Sequence, residues 1–213
     1  MNSKEKKLVK ISYIIYYLLL ITAMIYCYLN HNNNGLMMGL MASFTCFLVP
    51  LILKILGFKS VFEIYIINII FAAIASILGS MLGAYSIPFF DKILHFSSGL
   101  FITELAYMIF CYFKKKIDFK TNDERKLAIL FINACNMLVA VYWEFFEYFC
   151  LIFLNNDAIR HYTTGVHDTI TDMLVACLGG FIITSRVVHY YRTNKSNYWI
   201  RLVDNFFENN KFK

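Results

Sequence analysis

Residues 161–184 read HYTTGVHDTITDMLVACLGGFIIT, and ionisable side chains in this stretch run directly into an apolar segment. An apolar segment of this kind has to be buried in lipid or in protein. The whole chain shares this character, since 59% of its 213 residues are hydrophobic, 16% are charged and the mean hydropathy is +0.57. Because soluble domains are about 25% charged, the composition predicts a membrane protein.

Six apolar runs approach or exceed the roughly 20 residues that a helix needs to cross a bilayer. They lie at 11–29, 36–56, 62–84, 93–113, 127–154 and 169–191. The alternating pattern of a membrane β-barrel is absent, and backbone polar groups in lipid must pair internally. The sequence therefore predicts an all-α, polytopic membrane helical bundle of about six transmembrane helices. The spans are expected to be free of glycine or proline breaks, and the first three are expected to serve as packing scaffold.

The basic residues predict how the bundle is oriented. If the two sides are numbered alternately along the six spans, 18 of the 20 Lys and Arg residues fall on the side of the N-terminus, and only Lys92 and Arg160 fall opposite. Positive residues stay cytoplasmic, so both termini are predicted to be cytoplasmic. The formal net charge of +6 then reflects topology and not nucleic-acid binding. We predict a membrane domain at 1–193 and a cytoplasmic interfacial tail at 194–213, whose helix carries apolar residues on one face.

Three of the predicted spans each carry a pair of ionisable side chains at helical spacing. Asp91 and His95 are four residues apart where the fourth span begins, and Asp168 and Asp172 repeat this spacing where the sixth begins. The fifth span carries Glu144 and Glu147 near its outer end, on one stripe with Asn133, Asn136 and Ala140. A charge at the bilayer centre costs at least ~2.5 kcal/mol, so we expect these pairs to converge on one site.

A site with this many acids requires a compensating charge. Lys92 and Arg160 are the nearby basic residues, and a metal ion or shared protons are the alternatives. Below Asp172, the face of the sixth span continues through Val175 or Ala176 to Gly179. These residues are small enough for close helix contact.

The runs DKILHFSSG, WEFFEY and GVHDTITDMLVACLGG, in this order, resemble the YjdF family of small bacterial membrane proteins, and the resemblance covers roughly residues 85–185. The chain is more distantly similar to VanZ-like proteins, in which an asparagine tends to stand where this chain has Ala176. The resemblance implies a multi-pass protein of the bacterial plasma membrane and a shared set of polar and small residues. These are Asp91, His95, Gly99, Trp143, Glu144, Glu147, Asp168, Thr169, Asp172 and Gly179.

The first functional hypothesis is a metal-dependent enzyme at the outer leaflet. Carboxylates with one or two imidazoles suit Zn²⁺, Mn²⁺ or Mg²⁺. The predicted metal ligands are His95, Glu144, Asp168 and Asp172. Glu147 or Asp91 is the predicted general base or orienting residue, and Lys92 and Arg160 are predicted to bind the head group of a lipid or lipid-linked substrate.

Two alternatives remain open at this stage. A proton- or ion-coupled carrier would use the acids and histidines as a relay, although six spans without broken helices lack the usual carrier layout. A non-catalytic protein would use the acids as a structural polar core. For Glu104 taken alone, this structural role is expected, with its hydrogen bonds holding helices together. Asp157 and His161 are expected to be loop residues.

Overall fold

A computed structural model describes residues 1–158 and 160–210, apart from the side chain of Leu154. The described residues form eight α-helices and contain no β-strand. The helices are α1 (Ser3–Leu29), α2 (Asn33–Thr45), α3 (Leu48–Ile55), α4 (Phe62–Ala72), α5 (Phe90–Lys114), α6 (Asn122–Leu154), α7 (Val166–Thr193) and α8 (Tyr198–Asn209). The all-helical prediction is confirmed.

Five helical segments are long and apolar enough to cross a membrane. They are α1, α5, α6, α7 and the segment Phe62–Met81, in which α4 continues as a π-helix over Ala73–Met81. The pair α2 and α3 passes the same test when taken together, with a bend of 42° between the two helices. The described chain thus has five candidate spans, or six if the bent pair counts as one.

The bend corrects the expectation that the spans are unbroken. The run 36–56 is two helices, and the break falls at Cys46 and Phe47. Pro50 explains the position of the break, because a proline cannot donate a backbone hydrogen bond to the residue four positions earlier and its ring clashes with that carbonyl. For Pro50 that residue is Cys46.

Asn68 compensates for the backbone hydrogen bonds that the break removes. Its side-chain amide, which is buried in α4, donates to the carbonyl of Cys46 and, at 3.3 Å, to that of Thr45. The Tyr16 hydroxyl donates to Ala42 O at 2.6 Å, and the Tyr17 hydroxyl donates to Ser43 O at 2.7 Å. Since buried backbone carbonyls need donors, these side chains make a broken helix tolerable in this environment.

We expect Asn68→Leu to lower the free energy of unfolding by about 1–3 kcal/mol, because it leaves buried carbonyls without a donor. In a Pro50→Ala background the residue at position 50 regains an N–H that can reach Cys46 O, so the same substitution should cost less. A double-mutant cycle on unfolding in mixed detergent measures the difference. An equal cost in both backgrounds would contradict this account of the break.

The helices belong to two compact units. Among the described residues, the first comprises Met1–Phe90 with Asn209 and Asn210, and the second comprises Asp91–Glu208. In the first unit, a buried apolar cluster joins α1, α2 and the segment 62–81 through residues such as Tyr16, Leu20, Ala42 and Ile77. The second unit contains α5, α6, α7 and almost all of α8.

In the second unit, α5 and α7 approach each other through glycines. A side chain at Gly99 would overlap the carbonyl oxygen of Ala176, and a side chain at Gly179 would overlap that of Phe96. The predicted close contact of α7 through Ala176 and Gly179 is confirmed. Small residues permit this backbone approach in membranes.

Helix α6 is attached to α7 by two asparagines of its predicted polar stripe. The Asn136 amide donates to Ala176 O at 3.0 Å, and the Asn133 amide contacts the Thr184 hydroxyl at 3.0 Å. Both asparagines of the stripe therefore face α7, and they fix the register of α6 against the middle of α7.

The ends of α6 follow ordinary capping chemistry. The Thr121 hydroxyl accepts from the Glu124 backbone at 3.3 Å where α6 begins, and Asn155 ends α6 in the left-handed conformation. In the following loop, Asp157 accepts from the backbone N–H groups of His161 and Tyr162 at 2.6 and 3.2 Å. The loop prediction for Asp157 and His161 is confirmed, and the turn that Asp157 stabilises leads into Arg160 and α7.

The predicted tail helix is present as α8, and Ile200, Leu202, Val203 and Phe206 are buried in it. Tyr198 at its start is half exposed. Contact of this helix with a lipid surface stays a prediction.

Candidate functional site

The candidate site lies where α5 and α7 begin and where the last third of α6 passes them. Each helix contributes its predicted pair, and the six residues have between 1% and 8% of their surface exposed: Asp91, His95, Glu144, Glu147, Asp168 and Asp172. Acidic side chains are almost never this deeply buried unless they are paired. The convergence of α5 and α7 is confirmed by the distances between their side chains.

Asp91, His95 and Asp172 form the centre of the site, and one potential ligand atom from each lies within 4.8 Å of the others. His95 Nε2 is 3.5 Å from Asp91 Oδ1 and 3.7 Å from Asp172 Oδ1. Both distances exceed the range of a normal hydrogen bond. They are close to the separation of two ligands that each sit about 2.1 Å from one ion, which is about 3.0–3.4 Å.

Lys92 supplies the positive charge next to this centre. Its ammonium lies 2.8 Å from Asp168 Oδ1 and 2.8 Å from Asp172 Oδ1, and it also donates to Asp168 O at 3.3 Å. One ammonium thus bridges the two aspartates of α7. The side chain of Lys92 is 23% exposed, whereas that of Asp172 is 1% exposed, so the pair spans from the edge of the site to its interior.

Asp168 belongs to the rim of the site. Besides Lys92, it pairs with Arg160, whose Nε lies 3.5 Å from Asp168 Oδ2 and whose side chain is 40% exposed. The i, i+4 spacing of Asp168 and Asp172 therefore separates two environments. Asp168 faces Lys92 and Arg160, whereas Asp172 shares Lys92 with it and also faces His95.

The acids of α6 complete the inner wall. The Trp143 indole N–H donates to Glu147 Oε1 at 2.8 Å, which fixes that carboxylate. Glu147 lies close enough to Asp91 and His95 for electrostatic interaction, and Glu144 does so with His95, Asp91 and Asp172. The acids of α6 are therefore near enough to the pairs of α5 and α7 to interact with them electrostatically.

Several oxygen atoms at this centre lack a hydrogen-bond partner among the described residues. They are Asp172 Oδ2 and both carboxylate oxygens of Glu144, all of them buried. A buried carboxylate without donors is costly. The lack of partners for these oxygens is independent of the clustering of the three central residues. It indicates that a positively charged ligand fits the site.

The charges of the site do not balance from its side chains alone. Five acids, Asp91, Glu144, Glu147, Asp168 and Asp172, face two permanent cations, Lys92 and Arg160, and one histidine. Even with a protonated histidine, the ionised acids outnumber the bases. A divalent cation or bound protons would restore the balance.

The structure separates the residues that the sequence predicted as metal ligands. It brings His95 and Asp172 together with Asp91, which the sequence suggested as a base or orienting residue. It surrounds Asp168 with Lys92 and Arg160, and it leaves Glu144 unpartnered beside the centre. The roles of the individual residues stay predictions.

Within the described part of the chain, Glu104 does not form the hydrogen bonds that the sequence analysis expects of it. It is 2% exposed, and neither of its oxygens has a hydrogen-bond partner within residues 1–158 and 160–210. The hydrogen bonds expected to hold helices together through this residue are not formed. Nine residues separate Glu104 from His95, which puts the two on opposite faces of an ideal helix.

An all-helical chain with five or six apolar spans and an ionisable site buried among its helices is a polytopic membrane protein. The chain belongs to the family described as "Predicted membrane protein (DUF2238)", whose model matches residues 11–194. The match covers most or all of each of the five candidate spans, and it includes every residue of the site. It gives no support to the VanZ-like resemblance. No curated protein and no solved structure matches the chain.

Proposed function

We propose that this protein binds a divalent cation between Asp91, His95 and Asp172. The observation that carries the proposal is the approach of one ligand atom from each of these buried residues to within 4.8 Å of the others. The unpartnered oxygens of Asp172 and Glu144 support it, because they are acceptors without donors. Glu144 is a suitable further ligand.

The ligand chemistry favours Zn²⁺ or Mn²⁺, and Mg²⁺ is the third candidate. Two carboxylates and one imidazole match the preferences of the first two ions, since imidazole suits Zn²⁺ and carboxylate suits Mn²⁺. Mg²⁺ prefers oxygen ligands alone. A bound ion of this kind polarises a phosphoryl or carbonyl oxygen and lowers the pKa of a bound water molecule.

We further propose that the site acts on a lipid or lipid-linked substrate at the outer face of a bacterial plasma membrane. Asp91, Lys92 and Asp168 lie in the first turns of their helices, and in this proposal these turns lie at the depth of a lipid head group. The distribution of basic residues supports an outer location. In this proposal Lys92 and Arg160 bind the head group, and Glu147, oriented by Trp143, serves as the general base.

Within its family, the chain is proposed to be YjdF-like. The proposal rests on the three motifs DKILHFSSG, WEFFEY and GVHDTITDMLVACLGG, which together supply every residue of the candidate site except Arg160.

The test of cation binding is elemental analysis of the full-length protein, purified in mild detergent without chelator. We expect close to one equivalent of zinc or manganese per chain, and we expect this ion to be removed by dialysis against a chelator and restored by reloading. Protein that stays metal-free after incubation with either ion would overturn the proposal.

A second candidate function, a proton- or ion-coupled carrier, is favoured by the broken span of α2 and α3, since carriers often place ion sites at helix breaks. The hydrogen bonds of the backbone carbonyls at this break argue against a carrier. Asn68 donates to Thr45 O and Cys46 O, and the Phe47 N–H donates to Phe44 O at 3.1 Å. Because these carbonyl oxygens already accept hydrogen bonds from protein donors, they are poor ligands for an ion. Uptake into liposomes across a pH gradient tests this alternative.

A further inference from the structure

Lys92 contacts the carboxylate of Asp172, one of the three proposed ligands of the cation. Asp172 Oδ1 lies 2.8 Å from Lys92 Nζ and 3.7 Å from His95 Nε2. A divalent ion and an ammonium repel each other strongly at such short range. Even an ion bound at Asp172 Oδ2 would withdraw the charge of that carboxylate from Lys92. The ion and the ammonium therefore compete for Asp172.

Asp168 provides a second partner for the Lys92 ammonium. Asp168 holds it at 2.8 Å through the side chain and at 3.3 Å through the backbone carbonyl, and Arg160 approaches the other oxygen of the same carboxylate. An ammonium released from Asp172 would remain beside Arg160, near the exposed rim. A lysine and an arginine side by side are the groups that proteins use to bind phosphoryl oxygens.

We propose that Lys92 couples two ligands: a divalent cation at Asp91, His95 and Asp172 takes Asp172 from Lys92, and the released ammonium then binds a phosphoryl group together with Arg160. This inference rests on the proposed cation site. It makes phosphoryl binding conditional on the cation, and the cation binds more tightly when the phosphoryl group is present, because coupling between two sites is reciprocal. Without the cation, Lys92 stays on the aspartates and phosphoryl affinity is low.

The chemistry is shared by two sources, a lipid phosphate and a soluble phosphate ester. The experiment titrates Mn²⁺ into the full-length, metal-free protein and follows free Mn²⁺ by electron paramagnetic resonance. One arm adds glycerol 3-phosphate to protein in detergent. The other compares nanodiscs that contain phosphatidic acid with nanodiscs of phosphatidylcholine alone. We expect the phosphoryl probe to tighten Mn²⁺ binding ~10-fold in at least one arm, and the arm that responds identifies the source.

Two variants test whether Lys92 is the coupling residue. Lys92→Gln removes the competing ammonium, so we expect Mn²⁺ to bind at least as tightly as in the native protein and the phosphoryl effect to disappear. Arg160→Gln, at a side chain 40% exposed, is expected to fold normally and to reduce the effect to about 2–3-fold. Lys92→Arg keeps the charge and should keep most of the coupling.

The outcomes separate the two proposals. Mn²⁺ binding to the native protein that no phosphoryl probe changes would overturn the coupling and leave the cation site standing. A phosphoryl effect that persists in Lys92→Gln, or that is unchanged in Arg160→Gln, would overturn the assignment to these residues. A native protein that binds neither Mn²⁺ nor Zn²⁺ would overturn the cation site and the coupling together.

Discussion

Asp172→Asn is expected to weaken the binding of Mn²⁺ or Zn²⁺ by more than ~100-fold, since changes to groups that only support a ligand already cost about 10–100-fold. Asp172 is 1% exposed, and its Oδ1 lies 3.7 Å from His95 Nε2. Asparagine preserves the size of the side chain and removes its charge, so the loss would report on coordination. Isothermal titration of the purified variant in detergent measures the effect.

Asp168→Asn is the matched control. The same substitution is made on the same helix, one turn earlier, at a buried aspartate whose oxygens face Lys92 and Arg160. Its effect on cation affinity should be less than about 10-fold, within the range of supporting residues. The sequence alone predicted both aspartates as ligands. Equal losses in the two variants would restore that prediction and would contradict the central role that the structure gives to Asp91, His95 and Asp172.

Gly99→Val is expected to prevent the folding of the second unit. The added side chain would overlap the carbonyl oxygen of Ala176, which also accepts the Asn136 hydrogen bond. Overpacking against movable side chains costs about 1–3 kcal/mol, and here the obstacle is the backbone of α7. We expect a larger cost, seen as aggregation on detergent extraction or as a large decrease in the thermal unfolding temperature.

Gly39→Ala provides the comparison for this prediction. Gly39 is also a helical glycine in close contact, but its neighbours are the flexible side chains of Met24 and Met81. These side chains can move aside at little cost, so the variant should fold and elute as the native protein does. Normal folding of Gly99→Val would show that α5 and α7 are farther apart than the structure has them.

The membrane bundle could be predicted because apolar runs of sufficient length have few alternatives in lipid. The break near Pro50 could not be predicted in the same way. A proline in an apolar run predicts a possible break, but whether the break forms depends on donors elsewhere in the chain. Asn68 supplies them here from a different helix, and nothing local to the run 36–56 reveals that partnership.

The site could be predicted in outline for a similar reason. Buried acids at helical spacing are costly unless they meet, and the i, i+4 pairs of α5 and α7 do meet. The division of roles could not be predicted, because it depends on the rotation of each helix. The glycine contacts of Gly99 and Gly179 set that rotation. With this rotation Asp91 and His95 of α5 face Asp172, and Asp168 lies between Lys92 and Arg160.

The ion pairs of Lys92 also bear on how the chain is made. Its partners Asp168 and Asp172 follow it by 76 and 80 residues. At a synthesis rate of roughly 5–20 residues per second, α5 waits about 4–16 s before α7 leaves the ribosome. Until α6 and then α7 follow, Lys92 and its neighbours Asp91 and His95, all on the first turns of one helix, lack the charge partners that those helices supply. Insertion of this helix should therefore be the step at which the newborn protein most depends on the membrane insertion machinery.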